Sequence, residues 1–229
     1  MIVSSANFTH GGTYICNATT VWKSIQTSVT VYVKYPETCA IVKANINDVS
    51  GDYVIDPDGV LGEDPFRVYC NTTDKGGVGV TVFSHDSEER IHVIGYDARG
   101  SYSRDIQYRD SSLSQITALI EVSSSCRQFI RYGCKGAVLR LGSFSWWVSR
   151  DGQRMRYWGG ATQGCACGIT NSFARSGDFC NCDKNDFVWR EDSGFLTIKS
   201  DLPVTQLRFG DAGEANEEGY HTLGKLECY

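Results

Sequence analysis

Val29, Val31 and Val33 alternate with Thr30 and Tyr32 near the start of the chain, a period of two that predicts a strand with one buried face. FRVYC (Phe66 to Cys70), GVTVFSH (Gly79 to His85) and RIHVIGY (Arg90 to Tyr96) are strand-like by their β-branched and aromatic content, and CRQFIRY (Cys126 to Tyr132) follows the same pattern. Between them the period changes. Leu113, Ile116, Leu119 and Ile120 recur at helical spacing behind Asp110, Ser111 and Ser112, which are N-cap candidates. Glycine-rich turns separate these elements, with no internal repeat or low-complexity tract.

Composition adds a core and a compartment. With 229 residues, 41% hydrophobic and 21% charged, the chain is long enough to bury a substantial core, as one large domain or as one domain plus a piece. The net charge is −5, and the 22 lysines and arginines are scattered along the chain, which argues against a nucleic-acid partner. Ten cysteines and the sequons at Asn7, Asn17 and Asn71 together favour an oxidising, extracellular setting. MIVSSANFTHGG lacks the basic and apolar regions of a signal peptide, and no apolar run is long enough to span a bilayer. The expectation is a fragment of a longer secreted or membrane-anchored protein, touching a membrane only through parts outside this chain.

The stretch GCACGITNSFARSGDFCNCD, Gly164 to Asp183, sets the C-x-C pairs Cys165/Cys167 and Cys180/Cys182 on either side of a loop. Four such thiolates suit zinc, but structural zinc pairs are typically spaced C-x₂₋₄-C, and a one-residue spacer is tight for two sulfurs on one metal. Disulfides fit the oxidising setting better. Cysteines one residue apart rarely bond each other, which leaves a crossed and a nested arrangement open. Cys126 and Cys134 bracket the strand QFIRYG and its turn and are expected to pair.

Residues 1–35 have a shape of their own. Tyr14 stands two residues before Cys16, and the valine-rich strand follows after a short connection. The segment resembles the last two strands of an immunoglobulin domain, in which a tyrosine corner precedes the second cysteine of the inter-sheet disulfide. The resemblance implies that the partner of Cys16 lies outside this chain. His10 stands where that family usually has Asp. Tyr35-Pro36-Glu37 is the expected linker.

SGDYVIDPDG (Ser50 to Gly59) and PFRVYCNTTD (Pro65 to Asp74) resemble the opening of a fibrinogen C-terminal-like domain. SLSQITALIEVSSSC, SWWVSRDG, YWGGATQGCACG, FCNCD, SGFLTIKSDLPV and GDAGEA follow in the order found in the fibrinogen-like module of contactin-associated proteins of the neurexin superfamily. The resemblance runs from Cys39 to Cys228. It implies an extracellular α+β domain over 36–229, stabilised by disulfides and without catalytic activity or cofactor. It also implies bridges Cys39–Cys70 and Cys167–Cys180. Two features depart from that family: the immunoglobulin-like piece stands where it has an EGF-like module, and Asn171-Ser172 stands where it usually has another cysteine. With Cys16 assigned to the hairpin, nine cysteines remain, so one of Cys165, Cys182 and Cys228 is expected to lack a partner within the domain.

The candidate sites are few. Many fibrinogen domains bind calcium through an acidic loop, but RYWGGATQG offers no carboxylate. Asp183 and Asp186, with Asn185, are the weak metal candidates, and a solvated turn is the simpler reading. Trp146, Trp147, Trp158 and Trp189 are core candidates before they are a ligand platform. EDSGF around Ser193 has a faint likeness to a serine-protease loop, but no histidine motif accompanies it. EANEE (Glu214 to Glu218) reads as a solvated loop, and GGVGV lacks nucleotide-loop spacing. The reading is an adhesion or recognition module for a cell-surface or matrix glycoprotein. The alternative is a lectin-like module for acetylated or other glycans.

Overall fold

The computed structural model describes residues 10–160, 164–168 and 179–229. Its centre is β8, Cys126–Lys135, whose residues alternate strictly, so that Cys126, Gln128, Ile130, Tyr132 and Cys134 all face inward. Such alternation places every second side chain on one face. β8 lies between β12 (Arg190–Leu196) and β14 (Glu218–Cys228), both antiparallel to it. The sheet continues through β5 (Val80–Phe83), β4 (Phe66–Asn71) and β3 (Gly51–Ile55), and β6 (Ile91–Val93) pairs with β14, giving seven strands. A register shift in β14 between Leu223 and Leu226 turns the Gly224 carbonyl toward His85 Nε2 at 2.9 Å and Gln128 Nε2 at 3.1 Å.

Two helices pack on this framework. α1, Cys39–Asn45, starts where Thr38 Oγ1 accepts from the Ile41 N–H, and it buries Cys39 and Val42. No sequence period announces it, because seven residues make only about two turns, too short for a period to show. α2, Leu113–Val122, buries Ile116, Leu119 and Ile120. Of the N-cap candidates, Ser112 takes the position and forms a reciprocal capping box with Gln115.

A second, three-stranded sheet has the order β7 (Tyr102–Asp105), β13 (Gln206–Phe209), β9 (Trp146–Val148). The Phe209 ring of this sheet stacks on Tyr132 of the large sheet, with centroids 4.5 Å apart. Trp147 and Trp158 are fully buried beside them. Two short strands, β10 (Tyr157–Trp158) and β11 (Gly164–Cys165), run parallel and lead into the cysteine-rich region. The result is β-rich, with two helices and four disulfides among the described residues.

β1 (Gly12–Thr19) and β2 (Ser24–Val31) form a separate antiparallel hairpin, Cys16 opposite Thr27. Among the described residues nothing covers the expected face: Val29 and Val31 are exposed, as are Ile15 and Ile25, and Val33 lies beyond the end of β2. Two strands alone have no second layer to cover either face. Beyond the hairpin, the Asp56 N–H donates to the Pro36 carbonyl at 2.9 Å.

Candidate functional site

The cysteine-rich region is organised around a buried carboxylate. Asp192, on β12 and only 3% exposed, accepts the Asn181 N–H on one oxygen and the Cys182 N–H on the other, each at 2.9 Å. Its backbone carbonyl accepts Trp158 Nε1 at 3.0 Å. Burial raises the Asp192 pKa above the usual carboxylate value, while the N–H donors pull it back. Cys167 Sγ points at the same carboxylate, 3.5 Å from Oδ1. Burial first, and then the Asp192 charge, push its pKa up to about 11, so the thiol stays protonated at neutral pH.

The bridges fasten this region to the sheet. Cys165 bonds Cys180, and Cys182 bonds Cys134 at the end of β8. At the other end of β8, Cys126 bonds Cys228, its direct cross-strand neighbour on β14. Cys39 on α1 bonds Cys70 on β4. This corrects the expected Cys126–Cys134 pair: both lie on one extended strand, and eight residues at ~3.3 Å each hold them roughly 26 Å apart. It also corrects Cys167–Cys180. The Cys165 N–H donates to the Phe179 carbonyl at 3.0 Å, which brings Cys165 rather than Cys167 beside Cys180. Cys165, Cys182 and Cys228, among which one was expected to lack a partner, are all bridged.

The remaining candidates are held by neighbours. Asp186 is gripped by Arg190 through Nε at 2.9 Å and the terminal nitrogen at 2.6 Å, with Lys184 at 3.0 Å, and Arg190 above all holds its carboxyl well below the usual range. Asp183 Oδ1 accepts the Arg140 N–H at 2.7 Å. Cys165, Cys180 and Asp192 lie close enough together to resemble a metal-binding group, but the two sulfurs are bonded to each other and offer no thiolate. Ser193 Oγ donates to Glu191 at 3.2 Å on the exposed surface. Trp189 is 48% exposed, whereas Trp146 is half-buried. Asn17 is exposed on β1, Asn71 closes β4, and Asn7 lies outside the described residues, as do residues 161–163 of the RYWGGATQG loop and Asn171-Ser172.

The scattered basic residues are less scattered in space. Arg99, Arg140, Arg154 and Arg208 converge on the rings of Phe144 and Trp146, an arrangement that depends on strand register and so escapes a linear reading.

The chain matches no protein-family model. It is 38% identical over 187 residues to Neurexin-4 of Drosophila melanogaster, and that match covers 76% of this chain. It is also 35% and 34% identical over 202 residues to Contactin-associated protein 1 of Mus musculus and of Homo sapiens, covering 85% of the chain in both cases. The matched region is of the contactin-associated, neurexin type. The chain spans about 14% of the length of each of these relatives. Among the described residues, no helix is long and apolar enough to cross a membrane.

Proposed function

We propose that the chain is an extracellular, non-catalytic adhesion module that binds a cell-surface or matrix glycoprotein through loops carried on an oxidised scaffold. The observation that carries this reading is the similarity to Neurexin-4 and Contactin-associated protein 1 over most of the chain. The four disulfides agree with an oxidising compartment. In this reading residues 36–229 are a fibrinogen C-terminal-like domain, and residues 1–35 are the last strands of an immunoglobulin-like domain. The second assignment draws support from Tyr14, whose hydroxyl donates to the His10 carbonyl at 2.9 Å, the upstream bond of a tyrosine corner. The exposed apolar residues of the hairpin then await the rest of a sandwich.

The test is binding of the soluble, dimerised chain to cells before and after protease shaving of their surface. The reading expects saturable, protease-sensitive binding that survives a calcium chelator and free acetylated sugars, since Asp183 and Asp186 are engaged by protein groups. Protease-resistant binding abolished by chelator and sugar would transfer the function to the lectin-like alternative.

A further inference from the structure

Arg208 on β13 stands directly opposite Trp146 on β9. The guanidinium of Arg154, bridged to β9 through Val148, stacks over the Trp146 ring at 3.4 Å, and Arg208 lies 5.7 Å from the same ring. Two residues along, Phe144 is approached by Arg99 at 5.1 Å and by Arg140 at 5.8 Å. Arg140 continues with Arg156 into the wall of an adjoining cavity of ≈380 Å³. Arg99, Arg140, Arg154 and Arg156 are exposed.

The crowding of arginines around Phe144 and Trp146 sets this face apart. Elsewhere Arg104, Arg127, Arg131, Arg150 and Arg190 each sit on a carboxylate. Among the described residues, Arg99, Arg140, Arg154, Arg156 and Arg208 make no ion pair. Outside the cluster Arg67, Arg90 and Arg109 likewise make none among the described residues, but Arg67 and Arg109 line a cavity with Asp52 and Asp110. Asp183 puts a negative charge in the wall of the cavity that Arg140 and Arg156 line, held by the Arg140 N–H, so the anion site lies on the Phe144–Trp146 face and not in that cavity. Desolvation, followed by repulsion from Arg156, Arg208 and Arg99, lowers the Arg154 pKa, and among the described residues no carboxylate offsets it. In a chain of net charge −5, concentrating like charges this way costs stability unless an anion relieves it. Among the described residues, the buried Nε of Arg208 also has no hydrogen-bond partner.

We propose that this face binds a sulfated polysaccharide of the glycosaminoglycan class. Guanidinium forks match sulfate and carboxylate groups through paired hydrogen bonds. Stacking on Trp146, with a bond from Arg154 to the Ser143 carbonyl at 3.1 Å, orders the Arg154 fork before binding and lowers the entropy lost on it. An acidic peptide fits less well, because protein partners are usually anchored by buried apolar side chains and here the guanidinium groups overlie the aromatic rings. A hydrophilic polymer with regularly repeated anions needs no such anchor. The proposal rests on charge geometry and not on the glycoprotein reading above. Purified oligosaccharide tests it without cells, so the two fail separately.

The experiment measures binding of a heparin-derived oligosaccharide to the whole chain by calorimetry at about 0.15 M salt, where surface charges are already screened beyond about 8 Å. Micromolar affinity is expected, falling steeply with added salt, with no binding of the desulfated oligosaccharide. The Arg154→Gln/Arg156→Gln variant should bind at least about tenfold more weakly, and Arg154→Lys, which keeps the charge but loses the planar fork, should fall between. Arg127→Gln, away from the cluster, should bind as the parent does. Arg99→Gln is a second variant on an exposed turn, should the double variant fail to fold. No binding by the parent chain, or binding unchanged in Arg154→Gln/Arg156→Gln and in Arg99→Gln, would overturn the proposal. So would binding of a polyglutamate peptide, but not of heparin, at this face.

Discussion

Asp192 accepts the Cys182 N–H at 2.9 Å from a site that is almost fully buried, and its other oxygen takes the N–H of Asn181. One carboxylate thus sets the path of the backbone that carries Cys180 and Cys182 into their bridges. An amide has only one acceptor oxygen, so Asp192→Asn leaves one of these buried N–H groups facing another donor. A loss of about 2 kcal/mol is expected, read from urea unfolding with the disulfides intact. An unchanged midpoint would mean that the bridges alone hold this loop.

The bridges differ in the chain they close. Cys126–Cys228 spans 102 residues and Cys39–Cys70 spans 31. On the chain-entropy account, replacing the first pair by alanines costs ~1 kcal/mol more than replacing the second. Denaturant unfolding of the two double variants gives the comparison, and the reverse order would contradict it.

Stability should fall in mild acid. His221 is completely buried, with Nε2 2.8 Å from the Tyr102 hydroxyl, and burial lowers its pKa to about 4. The unfolded chain takes up this proton near 6.5 and the folded chain only near 4, so the unfolded state binds more protons across that window and gains as pH drops. Burial lowers the His85 pKa as well, adding to the effect in the same direction. Between about pH 6.5 and about pH 5, His221 accounts for a loss of up to about 2 kcal/mol. Unfolding free energies of the parent and His221→Gln at both pH values check this. The variant should lose less.

Gly100 has a φ of +59°, and the Trp146 ring occupies the space a side chain would need. Gly100→Ala therefore meets both backbone strain, ~1 kcal/mol, and a ring backed by Arg154. Lower stability and a shifted Trp146 signal in near-ultraviolet circular dichroism are expected. An unperturbed spectrum would show that the ring is not seated there.

Strong local patterns were readable in the sequence, and pairings were not. α2 declared itself through Ile116, Leu119 and Ile120, which it buries, although Leu113 of the same period is exposed, and β4 and β8 through their aliphatic and aromatic residues, because each buries one regular face. α1 is too short to show a period. β14 hides behind Gly219, Gly224 and several polar residues, although its side chains alternate inward until the bulge. The partner of Cys126 follows from β14 lying beside β8, and the arginine cluster from the register of β13 on β9, neither of which a linear pattern encodes. Resemblance supplied the contactin-associated type but misassigned Cys167, because residues in a C-x-C pair are close enough to exchange roles with a small change in backbone path.

The oxidised framework is the claim on which the rest depends, and peptide mapping of the unreduced chain from a secretory host tests it most directly. The account predicts Cys39–Cys70, Cys126–Cys228, Cys134–Cys182 and Cys165–Cys180. Recovery of Cys126–Cys134 or Cys167–Cys180, or reduced thiols with stoichiometric zinc at Cys165, Cys167, Cys180 and Cys182, would contradict it.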